Sequence, residues 1–367
     1  MINPFLWLIG REKEDSFVSS DNTIILEEKE KSPLILFERK PQKYNYRPKN
    51  LDEYIGQEKA KDKVRLNLEK IEKYKPTHII ISGSAGTGKT TLAYVVANHL
   101  RAKVDYTIAG SFTIDTLQKF IEENNNDKQL HILLIDEVHS IDRELAELLY
   151  PLLEDFQMPF VKDNAVCNFP YVVDIKTGKI FTNNIEKKIE QPNRNVKPFI
   201  FIGATTDKDE LYRKVSPLID RCGCQIELED YSVEDLKTIL KQYVNQVYAQ
   251  FFDEKIYEEI AKNCKFTPRI ALSLIDDYVV AKDLNRVFNA SRIVKDGLTE
   301  IDIKILKRLE SAKSPIGEQG LSLGVGLVKK QYITLYEPFL LKQDYIQRTG
   351  RGRILTDKGK KILETLK

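Results

Sequence analysis

HIIISGSAGTGKTTLAYVVANHL (78–100) joins an apolar run to a glycine-rich turn and then to a helical pattern. The run HIIIS (78–82) lacks the polar alternation of a half-exposed strand and predicts a strand buried on both faces. In the turn GSAGTGKT (83–90), Gly83, Gly88, Lys89 and Thr90 have the spacing G-x-x-x-x-G-K-[ST]. Binding a chain of phosphates requires backbone N–H groups with no side chain in the way, a helix N-terminus aimed at them, a cationic tip and a hydroxyl for Mg²⁺. All four are present in that order, with a strand before and a helix after. The stretch therefore reads as a nucleotide cradle and not as a plain glycine turn.

Two further runs extend the pattern. HILLID (131–136) and FIFIGATT (199–206) are also rich in unalternating β-branched residues, so the chain predicts an α/β core around a parallel sheet with helical crossovers. The second run ends in Asp136 and Glu137, two acids at the C-terminal end of a buried strand. There one carboxylate can reach a Mg²⁺ shell and the other can orient water. Thr205 and Thr206 close the third run, where a hydroxyl can hold that water or sense the γ-phosphate. PLIDRCG (217–223) offers Arg221 as an arginine presented to another subunit's nucleotide.

Length and composition fit this reading. The chain has 367 residues, more than the ~250–300 at which single cores stop growing, so two or three domains are expected. No apolar run approaches the ~18 residues that span a bilayer, and MINPFLWLIG lacks the flanks of a signal peptide, so it is expected in the mature protein. Cys167, Cys222, Cys224 and Cys264 have no metal-ligand spacing and read as reduced thiols of a cytoplasmic protein. The net charge of +2 is uneven: residues 321–367 hold ten Lys/Arg against four Asp/Glu, so a polyanion should meet the C-terminal end.

Along the chain, TIIL (23–26) and PLILF (33–37) are expected as edge strands in a charge-dense segment. RPKNLDEYIGQEKAKDKVRLNLEKI (47–71) predicts a short lead-in and an amphipathic helix. VVDIKTGKIF (172–181) predicts a hairpin turning at Thr177 and Gly178, and residues 232–294 predict helices throughout. The end, IDIKILKRLE followed by YIQRTGRGRILT, predicts helices and a basic β-hairpin, the pattern of a small winged helix.

In collinear order, RPKNLDEYIGQEKAK, GSAGTGKTTLAYVVANHL, LLIDEVHSIDRELAELLYPLLEDF, FIGATT, SPLIDRCG, TPRIALSLIDD and YEPFLLKQDYIQRTGRGRILT resemble successive segments of the RuvB family, the AAA+ motors of Holliday-junction branch migration. The resemblance covers roughly residues 46–367. It implies a P-loop AAA+ core with a parallel sheet (46–230), an all-α lid (231–298) and a winged-helix DNA-binding domain (299–367), behind a 1–45 extension of no assigned role. ATP and Mg²⁺ would be held by Gly86, Gly88, Lys89, Thr90, Thr91 and Asp136, with Thr90 and Asp136 nearest the metal. Glu137 would be the catalytic base, Thr206 sensor 1, Arg221 the trans finger and Arg269 sensor 2. Arg47, Tyr54 and Ile55 would lie near the base, with Glu154, Asp155, Phe156 and Tyr231 closing the pocket. Arg348, Arg351 and Arg353 would grip DNA phosphates.

The implied partners are duplex DNA and four-way junctions, further copies of the chain in a ring, expected to be a hexamer, and a RuvA-type junction-recognition protein meeting the hairpin of 157–197. That segment is longer than the family pattern. PLIDRCG has Ile219 and Cys222 where the bacterial pattern PLRDRFG has Arg and Phe. The expected activity is ATP-dependent translocation on DNA that drives branch migration in recombination and repair. The alternative from another class is a non-translocating AAA+ loader or protein remodeller tethered to DNA by its winged helix.

Overall fold

The structure, a computed structural model, describes residues 46–157, 161–162, 165–166, 171–173, 180–182 and 196–366. The runs at 23–26 and 33–37, the turn at Thr177–Gly178 and Cys167 lie outside the described residues.

The amphipathic helix predicted after Gly56 is α1 (Glu58–Lys73). Next come β1 (Ile79–Ser82), α2 (Lys89–His99), β2 (Lys103–Ile108), α3 (Ile114–Asn126), β3 (His131–Asp136) and α4 (Arg143–Asp155). Two short antiparallel pairs follow, β4 (Val161–Lys162) with β5 (Ala165–Val166) and β6 (Tyr171–Val173) with β7 (Ile180–Thr182). The second pair is the hairpin expected from VVDIKTGKIF. Then β8 (Ile200–Thr205), α5 (Lys208–Asp220) and β9 (Cys224–Glu227) complete an all-parallel sheet in the order β2-β3-β8-β1-β9.

The missing alternation in the strand sequences has a direct structural cause. Ile79, Ile81, Ile132, Leu134, Ile200 and Ile202 pack into one apolar layer with α1 and α2. Their neighbours Ile80, Leu133, Ile135 and Phe201 pack into another with α3, α4 and α5. Both faces are covered, so successive positions in the middle of each strand are apolar. Each such side chain contributes about 1.5–3 kcal/mol of burial.

Residues 232–294 give α6 (Val233–Tyr248), α7 (Glu254–Asn263), α8 (Pro268–Ala281) and α9 (Leu284–Ala290), which share one core around Leu240, Tyr257 and Ile275. The helical prediction fails at its end. Ile293 already belongs to β10 (Ile293–Lys295), which turns back into β11 (Leu298–Thr299). Asp296 and Gly297 between them have φ of 49° and 77°, the two positive values that a two-residue hairpin turn demands. The dipeptide Asp-Gly was the signal.

The last unit comprises α10 (Glu300–Glu310), α11 (Glu318–Gly324) and α12 (Lys329–Gln331), which runs through a wide turn at Tyr332–Tyr336 into α13 (Glu337–Lys342). After these come β12 (Ile346–Thr349), β13 (Gly352–Leu355) and α14 (Asp357–Glu364). Ile316 bridges Arg353 as a third, single-residue strand beside the hairpin. Helices with such a hairpin form the expected winged helix.

His78 shows how polar groups are accommodated in the first core. It is 3 % exposed; its Nε2–H donates to the Leu153 carbonyl at 2.8 Å, and its Nδ1 accepts from the Phe201 N–H at 3.0 Å. Those partners fix a neutral ring, and burial pushes its pKa down from 6.5 to about 4. The unfolded chain therefore takes up a proton near pH 6.5 that the folded chain refuses until about pH 4. The contribution of this site is complete above pH 6.5 and declines toward pH 4, by up to about 1.4 kcal/mol per pH unit. Urea unfolding at pH 7 and pH 5 should show a smaller pH loss for His78→Gln than for the wild type. Equal losses in both proteins would refute the assignment.

Candidate active site

Because the sheet is parallel, β1, β3 and β8 all end at the same edge, and the loops that follow them meet there. Gly88 is the N-cap of α2 with φ 98°, and Gly86 has φ 79°. A Cβ on Gly86 would lie 2.7 Å from Thr267 Cγ2 and 2.9 Å from Arg269 Cβ, and one on Gly88 would lie 2.8 Å from the Tyr54 hydroxyl. Both glycines are thus required twice, by backbone conformation and by close approach. The cradle is packed against the lid.

Within the cradle Lys89 is almost fully buried, and its ammonium donates to the carbonyls of Gly83 at 2.9 Å and Ser84 at 3.0 Å. Burial pushes its pKa down, aided by Arg269 and opposed by the Glu137 and Asp136 carboxylates. Thr90 donates its hydroxyl to Asp136 Oδ2 at 3.1 Å, which joins the start of α2 to the end of β3. This hydroxyl–carboxylate pair is the oxygen donor set that suits Mg²⁺. Glu137 has the left-handed backbone angles φ 52° and ψ 43°, and its N–H donates to Asp136 Oδ1 at 3.0 Å. That conformation costs about 1–2 kcal/mol in a residue with a Cβ and turns the carboxylate toward β8. There the Thr206 hydroxyl donates to Glu137 Oε2 at 2.7 Å and the Thr206 N–H at 3.2 Å.

These groups line a cleft of about 750 Å³, whose other walls include Arg47, Thr91, Tyr94, Tyr106, Arg269 and Asp276. The Arg47 guanidinium lies 4.4 Å above the Tyr94 ring. A narrower, mostly apolar slot opens beside it between Tyr46, Tyr54, Ile55, Tyr231, Ile239 and Leu272. The Tyr231 hydroxyl donates to the Thr87 carbonyl at 3.2 Å, and burial raises its pKa to about 12. A polar, cation-bearing cleft next to an apolar slot fits a nucleotide's phosphates and base respectively.

Arg47, Tyr54, Ile55, Gly86, Gly88, Lys89, Thr90, Thr91, Asp136, Glu137, Thr206, Tyr231 and Arg269 are therefore brought together. Glu154, Asp155 and Phe156 are not. Phe156 packs against His78 and Phe199, the residues just before β1 and β8, so this segment lies at the opposite edge of the sheet. Arg221 lies there too: Glu154 Oε2 accepts from its Nε at 3.1 Å and its Nη2 at 3.0 Å, and Tyr150 lies beneath it at 4.9 Å. Strands of four to six residues, at roughly 3.3 Å each, separate Arg221 and Glu154 from their own chain's cleft. The expected closing of the pocket by residues 154–156 is thus corrected for a single chain.

Sequence reasoning missed Tyr46, Tyr94, Leu272, Ser273 and Asp276 as lining residues. For three of them a signal existed: Leu272, Ser273 and Asp276 follow Arg269 at the i+3, i+4 and i+7 spacing of one helical face.

The hairpin arginines also divide. Arg348 and Arg353 are directly opposed across β12 and β13, where like charges would repel. Both reach the fully buried Glu337, Arg348 at 2.7 Å and Arg353 at 2.5 Å, and Arg353 also pairs with Glu318 at 3.0 Å. Burial opposes ionisation of Glu337, but the two guanidiniums outweigh it and hold its carboxyl below the usual range. Arg353, only 13 % exposed, is an internal counter-ion, which corrects its expected role as a phosphate grip. Arg348 remains half exposed, and Arg351 stands exposed near the hairpin tip.

Family models identify both ends of this architecture. One described as the Holliday junction DNA helicase RuvB P-loop domain matches residues 46–228, and one described as the RuvB C-terminal winged helix domain matches residues 295–364. The Holliday junction branch migration complex subunit RuvB of Thermotoga maritima is 33% identical over 340 residues, covering 87% of this chain and 92% of the relative. The chain belongs to the RuvB family. The RuvB subunit of Mycoplasma pneumoniae is 30% identical over 324 residues, covering 86% of this chain and 97% of its own. A solved structure described as the Thermotoga maritima RuvB Holliday junction branch migration motor matches with TM-score 0.67 and 30% identity, over 87% of this chain and 98% of that one. The AAA+ core, helical lid and winged helix are thus those of RuvB proteins.

In this RuvB-family chain Arg353→Ala should destabilise strongly, by about 3–5 kcal/mol, because it leaves a buried carboxylate underpaired. Arg351→Ala should stay within about 0.5 kcal/mol of the wild type. Thermal unfolding of the two full-length variants distinguishes these outcomes, and equal melting temperatures would contradict the internal role of Arg353.

Proposed function

We propose that this chain is an ATP-driven DNA motor that moves four-way junctions in recombination and repair, working as a hexameric ring of identical subunits. The observation that carries the reading is the convergence of Lys89, Thr90, Asp136, Glu137 and Thr206 in one cleft of a chain that also carries a RuvB winged helix.

In hydrolysis, a water oxygen attacks the γ-phosphorus while Glu137 takes the water's proton, and the bond to the β–γ bridging oxygen breaks to release ADP. Lys89 neutralises charge on the phosphates, and the Thr206 hydroxyl stands beside the attacking water. Mg²⁺, held by Thr90 and Asp136, would add a divalent counter-charge across the phosphates. The distant position of Arg221 supports its acting on the nucleotide of a neighbouring subunit, where such a residue contributes ~10³–10⁵ in rate. Glu154, at the same edge, would then face that neighbour as well. Arg269, on the lid helix that covers the cradle, would pass nucleotide state to the lid.

On the DNA side, Arg351 and the exposed part of Arg348 would hold backbone phosphates without reading sequence. A RuvA-type protein would meet the β6–β7 hairpin. Buried thiols at Cys222, Cys224 and Cys264 suit a reducing, cytoplasmic setting. No helix among the described residues is long and apolar enough to cross a membrane.

The test is ATP-dependent dissociation of a synthetic mobile four-way junction by the purified chain. Wild type should resolve the junction, whereas Glu137→Gln should bind ATP and leave the junction intact. ATP hydrolysis without junction movement, even with a RuvA-type protein added, would favour the loader or remodeller reading. Arg221→Ala should bind ATP normally and hydrolyse it at least about 10³-fold more slowly. Mixing it with Lys89→Ala subunits, which retain the finger, should restore turnover in assemblies shown to be mixed; no recovery there would exclude action between subunits.

A further inference from the structure

Three polar groups surround one oxygen of the Glu137 carboxylate. Two come from Thr206, and the third is His139 Nδ1 at 3.3 Å from Glu137 Oε2. The His139 side chain is only 15 % exposed and does not line the cleft, and its Nδ1 also lies 3.0 Å from the Thr205 hydroxyl. The proton inventory of this cluster fixes the imidazole. The Thr205 hydroxyl donates its one proton to the Asp207 carbonyl at 3.0 Å and accepts from the Asp207 N–H at 3.1 Å. Toward His139 it can therefore only accept, as can an ionised Glu137. His139 Nδ1 therefore carries the hydrogen and donates it to the Thr205 hydroxyl, with the Glu137 oxygen beside it at 3.3 Å.

We propose that His139 is a positioning residue for the catalytic carboxylate. Its Nδ1–H, held on the Thr205 hydroxyl at the last residue of β8, places the imidazole against Glu137 Oε2 in the turn after β3. The reason is steric as well as electrostatic. Glu137 has a flexible side chain on a left-handed backbone, and Thr206 alone would let the carboxylate swing with the exposed sensor loop. The largely covered imidazole, held on Thr205, adds a second contact that would remain when the Thr206 hydroxyl turns toward a phosphate. His139 thereby acts through Glu137 and touches neither nucleotide nor water. The proposal rests on the reading of Glu137 as the base that activates water.

Steady-state ATPase measurements on the full chain, with nucleotide affinity from a fluorescent ADP analogue, test the idea. His139→Leu removes the donor and should lower kcat by about 10–100-fold with the nucleotide Kd unchanged within about twofold, since a misplacement near 1 Å costs ~10²-fold. His139→Asn, whose amide nitrogen can take the Nδ1 position, should recover most of that loss. A role in packing alone predicts the reverse order, because leucine fills the site better than asparagine. A Leu variant within about twofold of wild-type kcat, or an Asn variant as slow as Leu at unchanged affinity, would overturn the proposal. If the Leu protein does not fold, His139→Ala reads the same loss. Glu137→Gln run in parallel separates the two levels of inference. If it turns over normally, the reading of Glu137 itself fails; if it is inactive while His139→Leu is normal, only the positioning role fails.

Discussion

The insertion of β8 between β1 and β3 is the constraint on which the site depends. Neighbouring strands lie about 4.8 Å apart, so β1 and β3 are held roughly 9–10 Å from each other, and the end of β8 fills the gap. In register, Ser82 stands beside Thr205, and Ile135 stands beside Gly203. The cradle, the acidic pair and Thr206 therefore reach the same edge together. Were β3 adjacent to β1, Glu137 would have no Thr206 to receive it. The same topology carries Arg221 and Glu154 to the far edge, so the fold separates the phosphate cradle from its candidate finger by the full depth of the sheet.

The lid and the winged helix are joined to this core by a few buried polar contacts. Tyr54 and Tyr231 bring their hydroxyls to 3.3 Å of each other and anchor to the carbonyls of Gly88 and Thr87, so the cradle senses the residues that lead into α6. Farther along, Lys265 donates to the fully buried Asp302 at 2.7 Å, and the same carboxylate oxygen caps α10 through Thr299. A buried pair of this kind is not a large source of net stability, but breaking one side of it is expensive, so it fixes how α10 meets the lid. Lys342 of α13 pairs with Asp230 just after β9 at 2.6 Å. The winged helix thus meets the lid and the core through specific side chains.

In the hairpin the demand for a buried counter-charge decides which arginines face outward. A strand places alternate side chains on one face, so Arg348 and Arg353 share a face by register and both require a counter-charge. Glu337, at the start of α13, supplies it from inside the module. The basic excess of the C-terminal segment is therefore partly spent on the fold, and its exposed remainder lies at the tip and along lysines such as Lys330 and Lys361.

The sequence by itself determined the parallel α/β core, the cradle, the acidic pair, the lid helices and the basic hairpin. Each of these is a local pattern: unalternating strands such as HIIIS, a fixed spacing from Gly83 to Thr90, a helical period, an arginine-rich turn. It also contained, unread, the Asp296–Gly297 turn and the lining face of α8, both again local. Only the tertiary structure decided that Glu154, Asp155 and Phe156 lie away from their own cleft, that Arg353 turns inward, and that His139 reaches the carboxylate of Glu137. Those facts depend on strand order, cross-strand register and the proton inventory of groups far apart in the chain, such as Thr205 and His139. No periodicity along one segment encodes which side chain of another will supply its counter-charge, because that choice is made when the layers pack.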